Sequence, residues 1–328
     1  TMNPIQEEHS PLNRDDHAPF RDDDVFITQV DLKKPEILFS TYFGGSEEEV
    51  VCEHLSDGSD LYLIGATYSP DFPIKNPLVT PGFRDQAGFV SRVSLANHTY
   101  FAQFGDGAGL TSEIILTNPS KEFPVEGEIE FYDDHGSPLL VELSTLQDGT
   151  SGETKHFRSP LQKLEFVVQP QGVFMVSTDG QSEEPLVGSA TVISDGNVGA
   201  VSSFRIQGIG TTSVSSGQPL SQFLIPVRRG FGGFNTGVAI QNTETSSISL
   251  NLTLRDTDGA LIVSSEPLGL EAKGHLARFL HELFPEVGTA DFLGTVTVQV
   301  DGGRAAAVAL ELGENIGEFT SFPVTPIE

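Results

Sequence analysis

Two internal repeats of short, β-type segments constrain the fold of this chain more than any single motif. Residues 13–22 align without gaps on residues 76–85, an offset of 63 residues. The alignment continues through three further apolar pairs: Phe26 with Phe89, Val30 with Val93, and Leu32 with Leu95. The first copy begins in the middle of a unit, so the sequence predicts one blade-like unit preceded by the end of another.

A second, looser repeat fills the rest of the chain. Residues 101–139 are echoed by 223–262, and residues 188–204 by 294–310. We expect the two copies to superpose as β-sandwiches, with Gly188 on Gly294 and the Asp-Gly turn at Asp195 on that at Asp301. Repeated units with no catalytic signature between them indicate an architectural protein.

The charge of the chain limits its partners. Only 18 of 328 residues are Lys or Arg and the net charge is −28, which argues against nucleic-acid binding and against anionic membrane surfaces. No run approaches the roughly 20 apolar residues of a membrane span. The single cysteine, Cys52, excludes an intrachain disulfide, and its apolar neighbours predict a small buried side chain. Because Thr1 is not an initiator, we expect a processed or excised product.

Turn residues and alternating apolar positions predict an all-β fold, with a blade-like antiparallel sheet followed by two tandem β-sandwich domains. The clearest alternation is that of Leu250, Leu252 and Leu254 with polar residues, which predicts a half-buried strand. The one helical candidate is Gly274–Leu283, which has apolar residues at three- and four-residue spacing. The predicted organisation is a polar arm at 1–23, a blade-like β domain at 24–98, a first sandwich at 99–206, a Gly/Ser/Thr-rich linker at 207–221 and a second sandwich at 222–328.

Residues 13–95 resemble the bacterial SBBP repeat, a predicted β-propeller blade. Its elements are matched in order by Tyr42-Phe43-Gly44-Gly45, Gly65-Ala66-Thr67, Asp71-Phe72-Pro73 and Phe89-Val90. The chain departs from the family pattern at Asp57-Gly58-Ser59-Asp60 and Glu47-Glu48-Glu49. Residues 99–328 resemble, more weakly, immunoglobulin-like C-terminal regions of secreted bacterial proteins, a resemblance that carries no activity.

Two acidic turns are the candidate metal sites. Asp133 and Asp134 occupy a place equivalent to that of Asp256 and Asp258. Several carboxylates on one loop can bind Ca²⁺, but the distal bidentate Glu of a complete calcium loop is missing. Asp-Gly is also a standard hairpin turn, so a turn without metal is the alternative reading. No other cofactor is indicated.

No motif of an enzyme is present. His281-Glu282 lacks the second histidine of a zincin helix, and nothing places a nucleophile beside His135 or His156. The pair Arg228-Arg229 is either solvated or a salt partner within the chain. The sequence therefore predicts a protein that is not an enzyme.

Three segments are candidates for glycans. Asn97 and Asn251 begin N-x-[ST] tripeptides, a pattern that also arises by chance. The run Thr211–Ser216 could carry O-glycans or serve as a flexible linker.

The first functional hypothesis is an extracellular or cell-surface bacterial structural subunit that assembles with copies of itself into a filament or surface layer. Residues 13–32 would complete a sheet in a neighbouring molecule, with an assembly strand formed by Val25, Phe26, Ile27, Val30 and Leu32. The alternatives are that this strand folds back on its own sheet or that a larger propeller has been cut away. The second hypothesis is a glycan- or protein-binding adhesion module of a larger secreted surface protein, which the absence of Trp weakens.

Overall fold

The computed structural model describes residues 24–31, 36–56, 60–73, 86–94, 96–148, 153–157, 159–287, 290–313 and 318–327. The chain divides into two compact units, Thr1–Ala96 and Asn97–Glu328. Nearly every described element is a strand in an antiparallel sheet, which confirms the predicted all-β, sandwich-like fold. The described part of the chain contains no helix with the length and hydropathy needed to cross a membrane.

The first unit consists of two small sheets that face each other. Strands β1 and β2 form a two-stranded ribbon, and β3, β4 and β5 form a three-stranded sheet. A core of Ile27, Phe43, Leu63, Phe72 and Val93 lies between them. The strands are β1 Val25–Asp31, β2 Glu36–Phe43, β3 Glu49–Ser56, β4 Asp60–Thr67 and β5 Ala87–Ser94.

Strand β1 pairs within its own chain. It runs antiparallel to β2, from Val25 opposite Phe43 to Asp31 opposite Glu36. This is the fold-back arrangement that the sequence left open as an alternative to exchange between molecules. Leu32, which the sequence assigns to the same strand, lies outside the described residues, as do the aligned segments 13–22 and 76–85.

The first repeat of the second unit is a sandwich of two sheets. One sheet has the order β11-β8-β13-β6 and the other the order β10-β9-β12-β7-β14-β15. Phe101, Phe104, Ile129 and Phe131 are among the residues that fill the core between them. The strands are β6 Asn97–Asp106, β7 Leu110–Thr117, β8 Val125–Tyr132, β9 Leu143–Asp148, β10 Glu153–His156, β11 Lys163–Val168, β12 Val173–Thr178, β13 Leu186–Ser194, β14 Gly199–Ile206 and β15 Gly210–Ser215.

The second repeat is built from one sheet folded over its own core. Its order is β19-β18-β22-β16-β17-β23-β24, with β20, β21 and β25 paired to β18, β17 and β16. Along β18 the alternating residues Leu250, Leu252 and Leu254 are fully buried, as the sequence pattern predicts. The strands are β16 Gln222–Arg229, β17 Phe234–Asn242, β18 Ile248–Arg255, β19 Leu261–Ser264, β20 Leu268–Leu270, β21 His275–Phe279, β22 Phe292–Asp301, β23 Ala305–Gly313, β24 Phe319–Pro323 and β25 Thr325–Pro326.

The two repeats share one strand order. In the first repeat β13 lies between β8 and β6, and β7 lies between β12 and β14; in the second, β22 lies between β18 and β16, and β17 between β21 and β23. A side-chain atom on Gly188 would lie 2.0 Å from the carbonyl oxygen of Tyr132, and one on Gly294 would lie 2.0 Å from that of Arg255. The predicted superposition of Gly188 on Gly294 therefore agrees with the pairing of both strands, and Asp195 and Asp301 fall at equivalent strand ends.

Two local predictions are wrong. The segment Gly274–Leu283 is strand β21 followed by a single turn of helix, α1 Leu280–Leu283, and a 3₁₀ turn at Pro285–Val287. Pairing with β17 buries His275 and Leu276, which outweighs the helical spacing of the apolar residues. The segment 207–221 is not a tether, because β15 within it pairs along its whole length with β14.

The repeats pack directly on each other. Ala102, Phe204 and Val214 of the first repeat form a shared apolar cluster with Ala239, Val308 and Phe319 of the second. The hydroxyl of Ser321 donates a hydrogen bond to the carbonyl oxygen of Ser213 at 2.8 Å. The second unit is therefore one body with two sandwich cores and a third apolar cluster between them.

Candidate functional site

The first unit exposes apolar side chains on the outer side of its ribbon. Phe26 is 62% exposed and Val30 is 45% exposed, and both lie on the side of β1 that faces away from the core. The ring of Phe26 lies 5.8 Å from that of Tyr42 on β2. We call Phe26, Thr28, Val30 and Tyr42 the ribbon face.

The ribbon face is apolar because β1 and its repeat partner β5 bury opposite sides of the same sequence pattern. In β5, Phe89 and Val93 point into the core and Val90 is 74% exposed. In β1 the aligned residues are reversed, with Ile27 buried and Phe26 and Val30 exposed. Alternate residues of a strand face opposite sides. The positions that face the core in β5 therefore face outward in β1.

The three-stranded sheet also exposes apolar side chains on its outer side. Ile64 on β4 lies directly opposite Val90 on β5, and Leu55 on β3 lies opposite Tyr62. Val50, Leu55, Ile64 and Val90 are all exposed. We call Val50, Leu55, Tyr62, Ile64 and Val90 the sheet face. Two exposed charged residues border it on the same side of the sheet, Glu53 opposite Ile64 and Arg92 opposite Tyr62.

Cys52 does not have the buried position predicted from its neighbours. It lies at the irregularity in the pairing of β3 with β4, between Val51 and Glu53, and its side chain is exposed. The bulge is responsible, because an extra residue in one strand changes the side to which the following side chains point.

The two acidic turns use their first aspartate to close the turn. Asp133 Oδ1 accepts hydrogen bonds from the backbone N–H groups of His135, at 2.9 Å, and Ser137, at 2.8 Å. Asp256 Oδ1 accepts the equivalent bonds from Asp258 and Ala260, both at 2.9 Å. A turn without bound metal is thus sufficient to account for Asp133 and Asp256 at these positions. No group of three or more metal-ligating side chains occurs within the described ranges.

Asp134, the second acidic candidate, joins the two repeats. Its Oδ1 lies 2.8 Å from Nδ1 of His275 on β21, and its carbonyl oxygen accepts a 3.1 Å bond from the His275 backbone N–H. The hydrogen bond to His275 holds the pKa of the Asp134 carboxyl below its ordinary value, although partial burial opposes the shift. Gly136 of the same turn, with φ of 73°, packs closely against the carbonyl of Ala272.

Further buried polar side chains line the contact between the repeats. Gln241, the pairing partner of His275, donates from Nε2 to the Thr191 hydroxyl at 2.9 Å. Ser189 lies two residues before Thr191 on the same side of β13. Burial raises the pKa of the nearby Tyr100 to about 12, with a contribution from the charge of Glu244. We call Ser189, Thr191, Gln241, His275 and Asp134 the polar seam.

The polar seam contains an Asp–His pair but no reacting partner for it. The side chain of His275 is fully buried, and its Nε2 has no hydrogen-bond partner in the described part of the chain. A general base must reach the proton that it removes, either directly or through one water. The geometry of this pair is that of a link between the repeats.

An ion pair between the partly exposed Arg228 and the buried Glu311 lies on the second repeat. Arg228 Nε donates to both carboxylate oxygens of Glu311 at 3.0 Å, and the Thr236 hydroxyl donates to Glu311 Oε1 at 3.2 Å. The guanidinium lies 3.9 Å from the centre of the Phe234 ring. Of the two alternatives for Arg228, the structure shows the salt partner within the chain.

Sequence reasoning missed one structural residue in each repeat. Asn118 donates from Nδ2 to the carbonyls of Phe123 and Val168, at 2.8 and 3.0 Å. Asn242, also buried, donates to the carbonyls of Ser246 and Glu271. Asn118 directly follows β7, and Asn242 is the last residue of the equivalent strand β17. The presence of Asn at aligned positions of the two repeats could have identified both from the sequence.

The remaining candidates are not gathered into a site. His135 and His156 are exposed and lie on a turn and on a strand end. Asn97 is half-buried at the start of β6, and the Asn251 amide donates to Asp301 Oδ2 at 2.8 Å. Glycosylation at these two positions stays a prediction.

No family model matches the chain, and no curated protein matches it. Among solved structures, one similar chain is a presumed secreted protein from Parabacteroides distasonis, at 8% identity, over 84% of this chain and 91% of that one. Its TM-score of 0.16 is too low to indicate a shared fold.

Proposed function

We propose that this chain is a non-enzymatic, extracellular structural protein whose copies associate through the first unit. The observation that carries the proposal is the reversed burial of β1. Phe26 and Val30 are exposed, whereas of their repeat partners Val93 lies in the core and Phe89 packs against it. Covering a large apolar side chain is worth roughly 1.5–3 kcal/mol. A second copy is the occupant that the proposal names.

The second copy offers a surface of matching character. The sheet face lies on the other outer side of the same unit and exposes Val50, Leu55, Ile64 and Val90. The ribbon face of one copy would pack on the sheet face of the next. Such a head-to-tail contact between unlike surfaces produces a ring if it closes and a filament if it does not. This contact differs from the strand exchange predicted from sequence, because β1 stays paired with β2 of its own chain.

The charge of the protein opposes the association and makes it testable. Each copy carries a net charge of −28, so copies repel each other at low ionic strength. Salt shortens the range of this repulsion to about 8 Å at 0.15 M ionic strength. We therefore expect assembly to increase from low to moderate salt.

The experiment is analytical ultracentrifugation of the intact chain and of the double variant Phe26→Ser, Val30→Ser across salt concentrations. Both side chains are exposed, so the variant should fold, which circular dichroism verifies. A matched control is Leu261→Ser, Ile262→Ser, which removes apolar side chains of similar exposure, 60% and 50%, from the second unit.

The proposal predicts assemblies for the intact chain and the control, and monomers for the ribbon-face variant. An intact chain that stays monomeric at high concentration and moderate salt would refute it. Equal assembly of the ribbon-face variant and the intact chain would refute the assigned surface.

A further inference from the structure

An uncharged cleft lies where the edge of the first repeat meets the end of the second. Strand β15 forms one wall, and β24 with the segment leading to β25 forms the other. Its volume is about 430 Å³, within the range of roughly 300–1,000 Å³ that is usual for small-molecule sites. The cleft belongs to the second unit and shares no residue with the ribbon face or the sheet face.

The lining of this cleft differs from the surface around it. Charged residues make up 20% of the chain, yet none of the side chains that line the cleft is charged. The polar residues of the lining include Ser215, Ser216 and Gln218, and the apolar ones include Leu220 and Phe322. The cleft therefore has a hydrogen-bonding side and an apolar side.

The polar groups of the cleft are available to a ligand. The hydroxyls of Ser213 and Ser321 already make hydrogen bonds, to the Ser203 hydroxyl and the Ser213 carbonyl. Within the described residues, the side chains of Ser215, Ser216 and Gln218 make no hydrogen bond. A purely hydrocarbon ligand would cover these groups without satisfying them, at a cost of about 1–3 kcal/mol for each group left unpaired.

We propose that this cleft binds a short neutral oligosaccharide. A charged ligand would lose hydration there without meeting an opposite charge, and an anion would also be repelled by the acidic protein. A neutral sugar ring has hydroxyl groups along its edge and C–H groups on its faces. The hydroxyls match Ser215, Ser216 and Gln218, and the C–H face matches Phe322 and Leu220.

This site differs from the exposed aromatic platform that sequence reasoning associated with glycan binding. Phe322 is half-buried at the wall of a cleft, and it also packs against the core of the second repeat. The absence of Trp from the chain therefore does not remove the aromatic contact. Binding through one ring and a few hydroxyls is expected to be weak.

The test is saturation-transfer NMR and calorimetric titration of the intact chain with maltotriose, cellotriose, xylotriose and mannotriose. Two variants probe the polar side, Gln218→Ala and Ser216→Leu. They leave Phe322 and the core in place, and circular dichroism checks their folding. The matched control is Gln162→Ala, which removes an exposed glutamine side chain elsewhere in the first repeat.

We expect at least one of the four trisaccharides to bind, and each cleft variant to weaken its binding by about tenfold, the loss of one well-formed hydrogen bond. The control should bind as the intact chain does. Absence of binding for all four, unchanged affinity in both cleft variants, or binding of a capped polyproline peptide in place of the saccharides would each overturn the proposal.

The saccharide-binding experiment and the self-assembly experiment can fail independently of each other. The cleft variants should sediment as the intact chain does. The variant Phe26→Ser, Val30→Ser should bind saccharide as the intact chain does, because its substitutions lie in the other unit.

Discussion

Single glycines fix the pairing of the central strands in both sandwiches. Gly188 on β13 and Gly294 on β22 each lie against a neighbouring backbone carbonyl, where any side chain would clash. Each glycine is paired on one side of its strand, and the residue that follows it is paired on the other side, which limits how far the backbone can move away. These residues are required by close packing rather than by a turn.

Replacing either glycine by alanine should therefore destabilise the second unit. The new methyl group would lie 2.0 Å from a carbonyl oxygen in both variants, and overpacking of this kind costs about 1–3 kcal/mol or more. Gly269→Ala is the control, because nothing lies within 4 Å of the added atom. Urea denaturation measures the difference; equal stability of Gly188→Ala and Gly269→Ala would contradict the geometry.

At the scale of elements, an ion pair holds the start of the second sandwich together. Arg228 is the penultimate residue of β16, and Glu311 lies on β23. The Thr236 hydroxyl, on β17, donates to the Glu311 carboxylate and accepts a hydrogen bond from the Arg228 backbone N–H. Strands β16 and β17 share only the pair Arg229 and Asn235. The side-chain bonds among Arg228, Glu311 and Thr236 thus add to the single backbone pairing between β16 and β17.

Arg228→Met should be strongly destabilising, because it leaves the Glu311 carboxylate buried without its counter-charge. The cost of breaking a buried pair in this way is about 3–5 kcal/mol, whereas replacing both partners by apolar residues is often close to neutral. The double variant Arg228→Met, Glu311→Leu should therefore recover much of the lost stability. Thermal and urea unfolding of both variants measure this; a double variant no more stable than the single one would show that the pair itself is not the cause.

On the scale of the whole second unit, the equivalent turns of the two repeats have different roles. The turn at Asp133 docks on the other repeat through Asp134 and Gly136, whereas an atom added to Gly259 in the equivalent turn would meet nothing within 4 Å. Repetition of the sequence gives both turns the same backbone hydrogen bonds. The hydrogen bonds of Asp134 to His275 make the first turn the one that couples the repeats, whereas the Gly259 carbonyl accepts a hydrogen bond from Arg255 of its own repeat.

The stability that Asp134 contributes through this coupling should decrease as the pH falls. The folded pKa of Asp134 is lowered from 3.8, chiefly by its hydrogen bond to His275, with smaller contributions from the charges of His275, His135 and Arg278. A lowered folded pKa contributes stability that is fully present above the unfolded value of 3.8 and is lost as pH falls through the folded value.

Asp134→Asn should therefore reduce the free energy of unfolding near neutral pH, by about 1 kcal/mol, and the reduction should disappear at acid pH. Asp258→Asn, in the turn that meets no other repeat, is the matched control and should have little effect. The measurement is urea unfolding across pH. A pH-independent effect of Asp134→Asn would show that the charge of the carboxylate does not contribute.

The sequence predicted the features of this protein that depend on local pattern. Alternation of Leu250, Leu252 and Leu254 identified a half-buried strand, and Asp133 and Asp256 identified equivalent turns, because side-chain period and turn chemistry are properties of neighbouring residues. The repeats further predicted which strands would correspond between the two sandwiches.

Tertiary contacts decided the rest. The alternation of residues along a strand defines its two sides but does not show which side a second sheet will cover. Only the structure shows that β1 exposes Phe26 and Val30. Pairing with β17 made a strand of residues whose spacing suits a helix, and pairing with β14 ordered a segment whose composition suits a linker. The partners His275 and Asp134 are far apart in sequence, and only the packing of one repeat on the other brings them together.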